Sequence, residues 1–202
     1  YEFLGYAQPI VGWGNFGVNM ALLNLGEQLR TDERGNAQGT FRSYDVAVSG
    51  AYGAEIGQNM SAGIGLKFIH SYLVAQGAGK EKGNGVGNGF AADLGYLWQV
   101  NPTLTFGAAL RNLGPKIAYI DASQADPLPQ HIVVGLAYEA LDSEFNDILF
   151  SLDIYKPLIA DGTFLSNLLK AWADESLGDE FKEIDIHVGA EYRYGQEDAF
   201  FA

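Results

Sequence analysis

Three histidines, one serine between small residues and one glycine run are the places where this chain's residue types suggest chemistry. His70, His131 and His187 fall on separate segments, without the i, i+4 spacing that sets two imidazoles beside a carboxylate on one helical face. With no cysteine in the chain there is neither a thiolate site nor a sulfur nucleophile. Asn59-Met60-Ser61-Ala62-Gly63 lacks the first glycine of a nucleophile elbow and leads from a tight turn into a strand, so no serine hydrolase follows from it. Gly83-Asn84-Gly85-Val86-Gly87-Asn88-Gly89 has the composition of a phosphate loop but neither its Gly-Lys-Ser ending nor the Gly-x-Gly-x-x-Gly spacing, and reads as a flexible loop tip. Carboxylates are plentiful, yet their order along the chain does not say which approach one another. The expectation is a protein without catalytic residues, metal or cofactor.

What positions the polar residues is a period of two. From Phe41 to Ile56, Tyr44, Val46, Val48, Tyr52 and Ile56 alternate with Ser43, Asp45, Ala47, Ser49, Gly53 and Glu55. Successive side chains of a strand point to opposite faces, so this pattern is a strand with one apolar and one polar face. The same alternation recurs around Phe16, Leu66, Trp98, Phe106, Leu136 and Phe150, and most cleanly from Glu183 to Tyr194. With weaker segments at residues 2–8 and from Asp198 onward, about ten strands are expected, several of them longer than a usual globular strand. Glycine and aromatic content agree with an all-β chain.

Composition narrows the function classes further. Of the 202 residues 48% are hydrophobic, which excludes intrinsic disorder, and a net charge of −13 without a Lys/Arg block argues against nucleic acid as the partner. No apolar run is long enough for a membrane-spanning helix.

The connections alternate in length. Tight turns fall at 9–14, 57–59, 101–102, 142–146 and 195–197, and longer loops at 27–39, 78–88, 112–130 and 157–181. In an up-and-down sheet this puts every long loop at one end, the division found in outer-membrane barrels. A soluble barrel has the same alternation with its apolar face inside. Two features favour lipid on the outside: aromatic residues of the apolar face gather toward strand ends, and the opposite face is rich in Gly, Ala and Ser. The expected fold is a transmembrane antiparallel up-and-down β-barrel. Its interior face would carry Asp45, Glu55, Lys67, Asp93, Arg111, Glu139, Asp153, Asp185, Glu191 and Arg193 as an ion-pair and hydrogen-bond network.

One segment breaks the period. Phe164, Leu165, Leu168, Leu169 and Trp172 recur at helical spacing within about 163–173, after Asp161 as a possible cap. This predicts a short helix in the longest loop, either packed at the barrel rim or offering an apolar surface to a partner.

Several strings then resemble one family. Leu4-Gly5-Tyr6-Ala7-Gln8, Asn24-Leu25-Gly26, Tyr44-Asp45-Val46-Ala47, Ala92-Asp93-Leu94-Gly95, Arg111-Asn112-Leu113-Gly114-Pro115-Lys116-Ile117 with Asp126-Pro127-Leu128-Pro129, and Gly189-Ala190-Glu191-Tyr192-Arg193-Tyr194 resemble the PorV/PorQ family. These are outer-membrane proteins of the type IX secretion system, related in fold to FadL fatty-acid transporters. The resemblance implies a fourteen-stranded barrel, of which this chain would hold a single domain over 1–202, incomplete at both ends. It implies a role without catalysis: binding the C-terminal domain of secreted cargo as it leaves the translocon barrel, and passing it to the surface sortase. The long loops would form the cargo side, with Pro115, Tyr119, Asp126, Pro127, Pro129, Phe164, Leu168 and Trp172 as candidate contacts. A FadL-like channel for long-chain fatty acids or other hydrophobic compounds is the alternative.

Overall fold

The computed structural model describes residues 1–32, 34–74, 85–119, 125–159, 162–172 and 181–195, with the side chains of Val74, Phe164 and Phe181 excepted. Nine antiparallel strands form one sheet in chain order. They are β1 (Glu2–Ile10), β2 (Gly14–Thr31), β3 (Ala37–Gly57), β4 (Met60–Val74), β5 (Gly85–Asn101), β6 (Leu104–Leu113), β7 (His131–Asp142), β8 (Asn146–Pro157) and β9 (Asp185–Tyr194). Among the described residues between β8 and β9 lie one α-helix, α1 (Phe164–Lys170), and a 3-10 turn at Phe181–Glu183. The expected strand from Asp198 lies outside the described residues. No helix among the described residues is long and apolar enough to cross a membrane.

The described residues group into two compact units. In the first (residues 1–52, 64–93 and 112–128), the large side chains Val48, Tyr52, Leu66, Phe68 and Phe90 are exposed, while Ser43, Ser71 and Ala91 on the opposite face are buried. Exposed aromatic rings meet across neighbouring strands, Phe16 with Tyr52 at 4.8 Å and Phe68 with Phe90 at 5.1 Å between centroids. Such cross-strand pairs hold register in a sheet whose large side chains have no core to enter.

In the second unit (53–63, 94–111 and 129–202) the arrangement repeats. Leu94, Trp98, Leu136, Phe150, Leu152, Ile154, Ile186 and Val188 are exposed, whereas Ala137, Ser151 and Asp153 of the alternate face are half-buried. The β8–β9 register places Ile154 opposite Ile186 and Leu152 opposite Val188, so the apolar residues form continuous cross-strand rows. Buried hydrophobic side chains are few: Ala91, Ile117, Leu128, Leu158 and Ala171. Within each unit the sheet therefore leaves large apolar side chains of one face exposed and has small and polar residues of the other buried or half-buried, the reverse of an antiparallel sheet packed on a soluble core.

Two expected loops are strands instead. Residues 27–39, read as a long loop, are mostly the ends of β2 and β3, leaving a turn at 32–36. Asp32 makes that turn: its carboxylate accepts from the Arg34 and Asn36 amides at 2.9 and 2.8 Å and from the Asn36 side chain at 2.9 Å. These bonds close the chain in the manner of an Asx turn, so the charged residues on either side pair as a hairpin. They also hold the Asp32 carboxyl below its ordinary value, the Asn36 side chain contributing most. Within β2 the facing switches: Phe16, Val18 and Met20 are exposed at even positions, Leu22 is half-buried, and Leu23, Leu25 and Leu29 are exposed at odd ones. Beyond the switch, Gly26 takes φ +73° and its amide donates to Asn24 Oδ1 at 2.9 Å.

The second correction concerns the glycine run. Gly85 to Gly89, read as part of a loop tip, begins β5, with Gly85, Gly87 and Gly89 buried on the same face as Ala91; residues 83 and 84 lie outside the described residues. The helix forms where expected, but its cap is Thr163, whose Oγ1 accepts from the Ser166 amide at 3.3 Å. Asp161 lies outside the described residues.

Candidate functional site

The expected interior residues of the first unit are paired in two places, Lys67 with Asp93 and Asp45 with Ser71. Lys67 reaches Asp93 at 3.2 Å and donates to Asn112 Oδ1 at 2.7 Å, and Asp93 in turn accepts from the Asn112 amide at 2.8 Å. Asn112 holds a left-handed conformation, φ +58°, which asparagine tolerates better than most residues. Ser71 donates to Asp45 on the same face, and Ser43 to the Leu73 carbonyl at 2.6 Å. This group pairs charge with charge and gives a half-buried lysine two oxygen partners. Its position at the end of β6 also sets the course of residues 114–128, because Asn112 is where the chain leaves the sheet.

Residues 114–119 and 125–128 fold back over the small-residue face. The amides and carbonyls of Ile117 and Asp126 bond reciprocally at 2.8 and 2.9 Å, closing the segment on itself. Ile117 and Leu128 bury against Ala91, with Ile69 and Tyr119 packed around them. The fit requires glycine. A Cβ on Gly114 would lie 2.1 Å from the Phe90 carbonyl, and one on Gly87 would lie 2.9 Å from the Tyr119 ring. The glycine positions of β5 are thus the floor on which this loop rests. The period-two spacing of Gly85, Gly87 and Gly89, in phase with Ala91 and Asp93, is the signal in the sequence that identifies them as strand.

Of the candidate partner contacts, Pro115, Asp126, Pro127 and Pro129 are exposed on this loop, with Lys116 beside them, while Tyr119 is turned partly inward. His131 comes next, its Nδ1 at 2.9 Å from the Pro129 carbonyl and its ring 4.6 Å from that of Tyr155. In α1, Leu168 is half-buried and Trp172, just past the helix, is exposed. The side chain of Phe164 lies outside the described residues.

The remaining expected interior residues do not join one network. Asp153 is half-buried against Gly135, where a Cβ would meet its carboxylate. Glu139 is half-buried and its amide donates to the Thr103 carbonyl at 2.8 Å. Arg193 pairs with Asp147 and Glu191, both at 3.1 Å. Glu55, Arg111, Asp185 and Glu191 are exposed. His70 sits 2.8 Å from Asn88, and among the described residues no three His, Asp or Glu side chains come together as a metal site.

Sequence reasoning missed a second built feature, at Lys156. It occupies the next position after Ile148, Phe150, Leu152 and Ile154 on the apolar face of β8, yet its side chain is only 2% exposed. Glu183 pairs with it at 3.0 Å and the Trp172 ring centroid lies 5.5 Å from its ammonium. A lysine interrupting an apolar series at strand spacing was the available signal.

Among the described residues the arrangement offers exposed apolar rows and ion pairs. No protein-family model matches the chain, and no curated protein matches it.

Proposed function

We propose that this chain is part of an outer-membrane β-barrel that binds other proteins and catalyses nothing. The observation that carries the membrane half is the exposure of the apolar face. Rows of Leu, Ile, Val, Phe and Trp are exposed on both units while serine, aspartate and glycine positions of the alternate face are buried or half-buried. Exposed apolar surface of this extent needs a cover, and hydrocarbon suits a face whose backbone groups are already paired within the sheet. β6 to β9, of 10, 12, 12 and 10 residues, have about the length a tilted strand needs to cross a bilayer.

The pathway half rests on the resemblance to the PorV/PorQ family. On this reading the protein belongs to the type IX secretion system and receives the C-terminal domain of secreted cargo at its long-loop end, between the translocon barrel and the surface sortase. The exposed Pro115, Lys116, Asp126 and Pro127, on a loop held by Ile117 and Leu128, form a preorganised patch of the kind that loses little entropy on binding.

Affinity purification from native outer membranes tests both halves. The expected result is a detergent-requiring protein that brings down a large translocon barrel or a β-sandwich cargo domain, and loses the cargo when Asp126→Lys is introduced. A polypeptide that stays monomeric in buffer without detergent overturns the membrane half. Recovery from the membrane without either partner, with restored fatty-acid uptake in a transport-deficient host, overturns the pathway half in favour of a FadL-like channel.

A further inference from the structure

We infer that α1 is an interfacial anchor, lying against the lipid headgroup region with Leu165, Leu169 and Trp172 toward the membrane. This rests on the lipid-facing reading of the apolar sheet face and adds an element outside the sheet to it.

The argument begins with strand parity. Ile154 and Lys156 are two residues apart on β8 and so share a face, and Ile154 is exposed on the apolar one. Trp172 and Glu183 cover Lys156, so the segment after β8 is folded over the apolar face instead of the small-residue face. Glu183 pairs with the ammonium at 3.0 Å where the apolar row ends.

The helix itself is two-sided. Asn167 and Ala171 are buried, whereas Leu165, Leu169 and Trp172 are exposed, Leu169 by 80%. Spacings of four and three residues set these three on one stripe. Lys170 stands beside the stripe, exposed in the last turn. A stripe of leucines ending in tryptophan with a flanking lysine is the composition of a helix lying in a membrane interface. Trp172 lies over Lys156, the position next to Ile154 in the apolar row of β8, so the end of the helix adjoins the row that Ile154 shares with Ile186.

The chain has no cysteine, so a single introduced cysteine carries a single fluorophore. Leu169→Cys reports on the helix and Leu152→Cys, at mid-strand on the apolar face, reports on the sheet. Each labelled protein is inserted into phosphatidylcholine vesicles whose chains are brominated either near the glycerol or near the methyl end. The label at position 152 is expected to lose emission most with deep bromines, and that at 169 with shallow ones. Quenching at 152 without quenching at 169, whether 169 is then open to aqueous iodide or shielded from it, overturns the anchor while the sheet reading stands. No lipid quenching at either position overturns the lipid-facing reading itself and the anchor with it.

Discussion

Two connections fold onto different faces of the strands in their own units. In the first unit, residues 114–119 and 125–128, the inward loop, lie on the glycine and alanine positions of β5 and are held by Ile117 and Leu128. In the second, residues 158–159 and 162–172, the outward loop, bring Trp172 over Lys156 on the apolar face of β8, with Leu158, Asn167 and Ala171 buried. The inward loop has a floor without side chains, so its backbone comes to a distance that no Cβ permits at Gly114. The outward loop meets large side chains and solves a different problem, covering a cation on a greasy surface. Small residues admit a loop, while a buried charge calls one over: the contrast accounts for an inward loop that presents proline and charge to water and an outward one that presents leucine and tryptophan.

The largest expected effect breaks the inward loop. Gly114→Ala drives a methyl into the Phe90 carbonyl, a backbone atom that cannot rotate aside, and is expected to cost about 3 kcal/mol in the denaturant midpoint of the detergent-solubilised protein. The matching change in the outward loop, Gly162→Ala, meets the Ser166 hydroxyl at 2.2 Å, which can turn away with the loss of one hydrogen bond, about 1 kcal/mol. Equal effects would dissolve the contrast.

Next comes the charge under the outward loop. Glu183→Gln leaves the Lys156 ammonium buried beside a neutral amide and is expected to cost about 2 kcal/mol, less than a fully buried pair because Glu183 is half-exposed. Adding Lys156→Met should recover most of that loss by returning the position to the apolar row, with no change in protease protection of residues 114–128. A smaller effect is expected for Thr163→Ala, which removes the cap of α1. A cost of about 0.5 kcal/mol should appear as faster amide exchange at Asn167 and Ala171, the long cap bond placing it at the low end.

The smallest concerns the turn at 32–36, outside both loops. The Asp32 carboxyl is held below its unfolded value, so the stabilisation it gives is present above the unfolded pKa and disappears as pH falls through the folded one. The protection of the Arg34 and Asn36 amides, taken relative to intrinsic exchange at each pH, should fall on acidification below the ordinary carboxylate range, and Asp32→Asn should abolish that dependence.

Much of this was legible from residue types. The alternation from Tyr44 to Ile56 and from Ile184 to Tyr194 fixes strands and faces, because neighbouring side chains in extended backbone diverge whatever surrounds them. The leucine spacing after Thr163 fixes the helix on equally local grounds. The stretch at 27–39 misled because its charges and glycines are those of a loop, and only the pairing of β2 with β3 makes them a hairpin. Gly85 to Gly89 misled for the opposite reason: glycine has no side chain to reveal which face it occupies. Of the interior set, Lys67 and Asp93 assemble with Asn112, which was not expected there, across three strands, whereas Glu55, Arg111 and Asp185 remain exposed, a distinction that spacing along one strand does not contain.

The amino-acid order by itself determined that each strand has a large apolar face and a small polar one, since that depends on nothing beyond the two-residue repeat. Which way each loop folds was decided only by the tertiary structure. Loop direction depends on clearances and charges contributed by distant residues, Phe90 beneath Gly114 in one case and Glu183 beside Lys156 in the other.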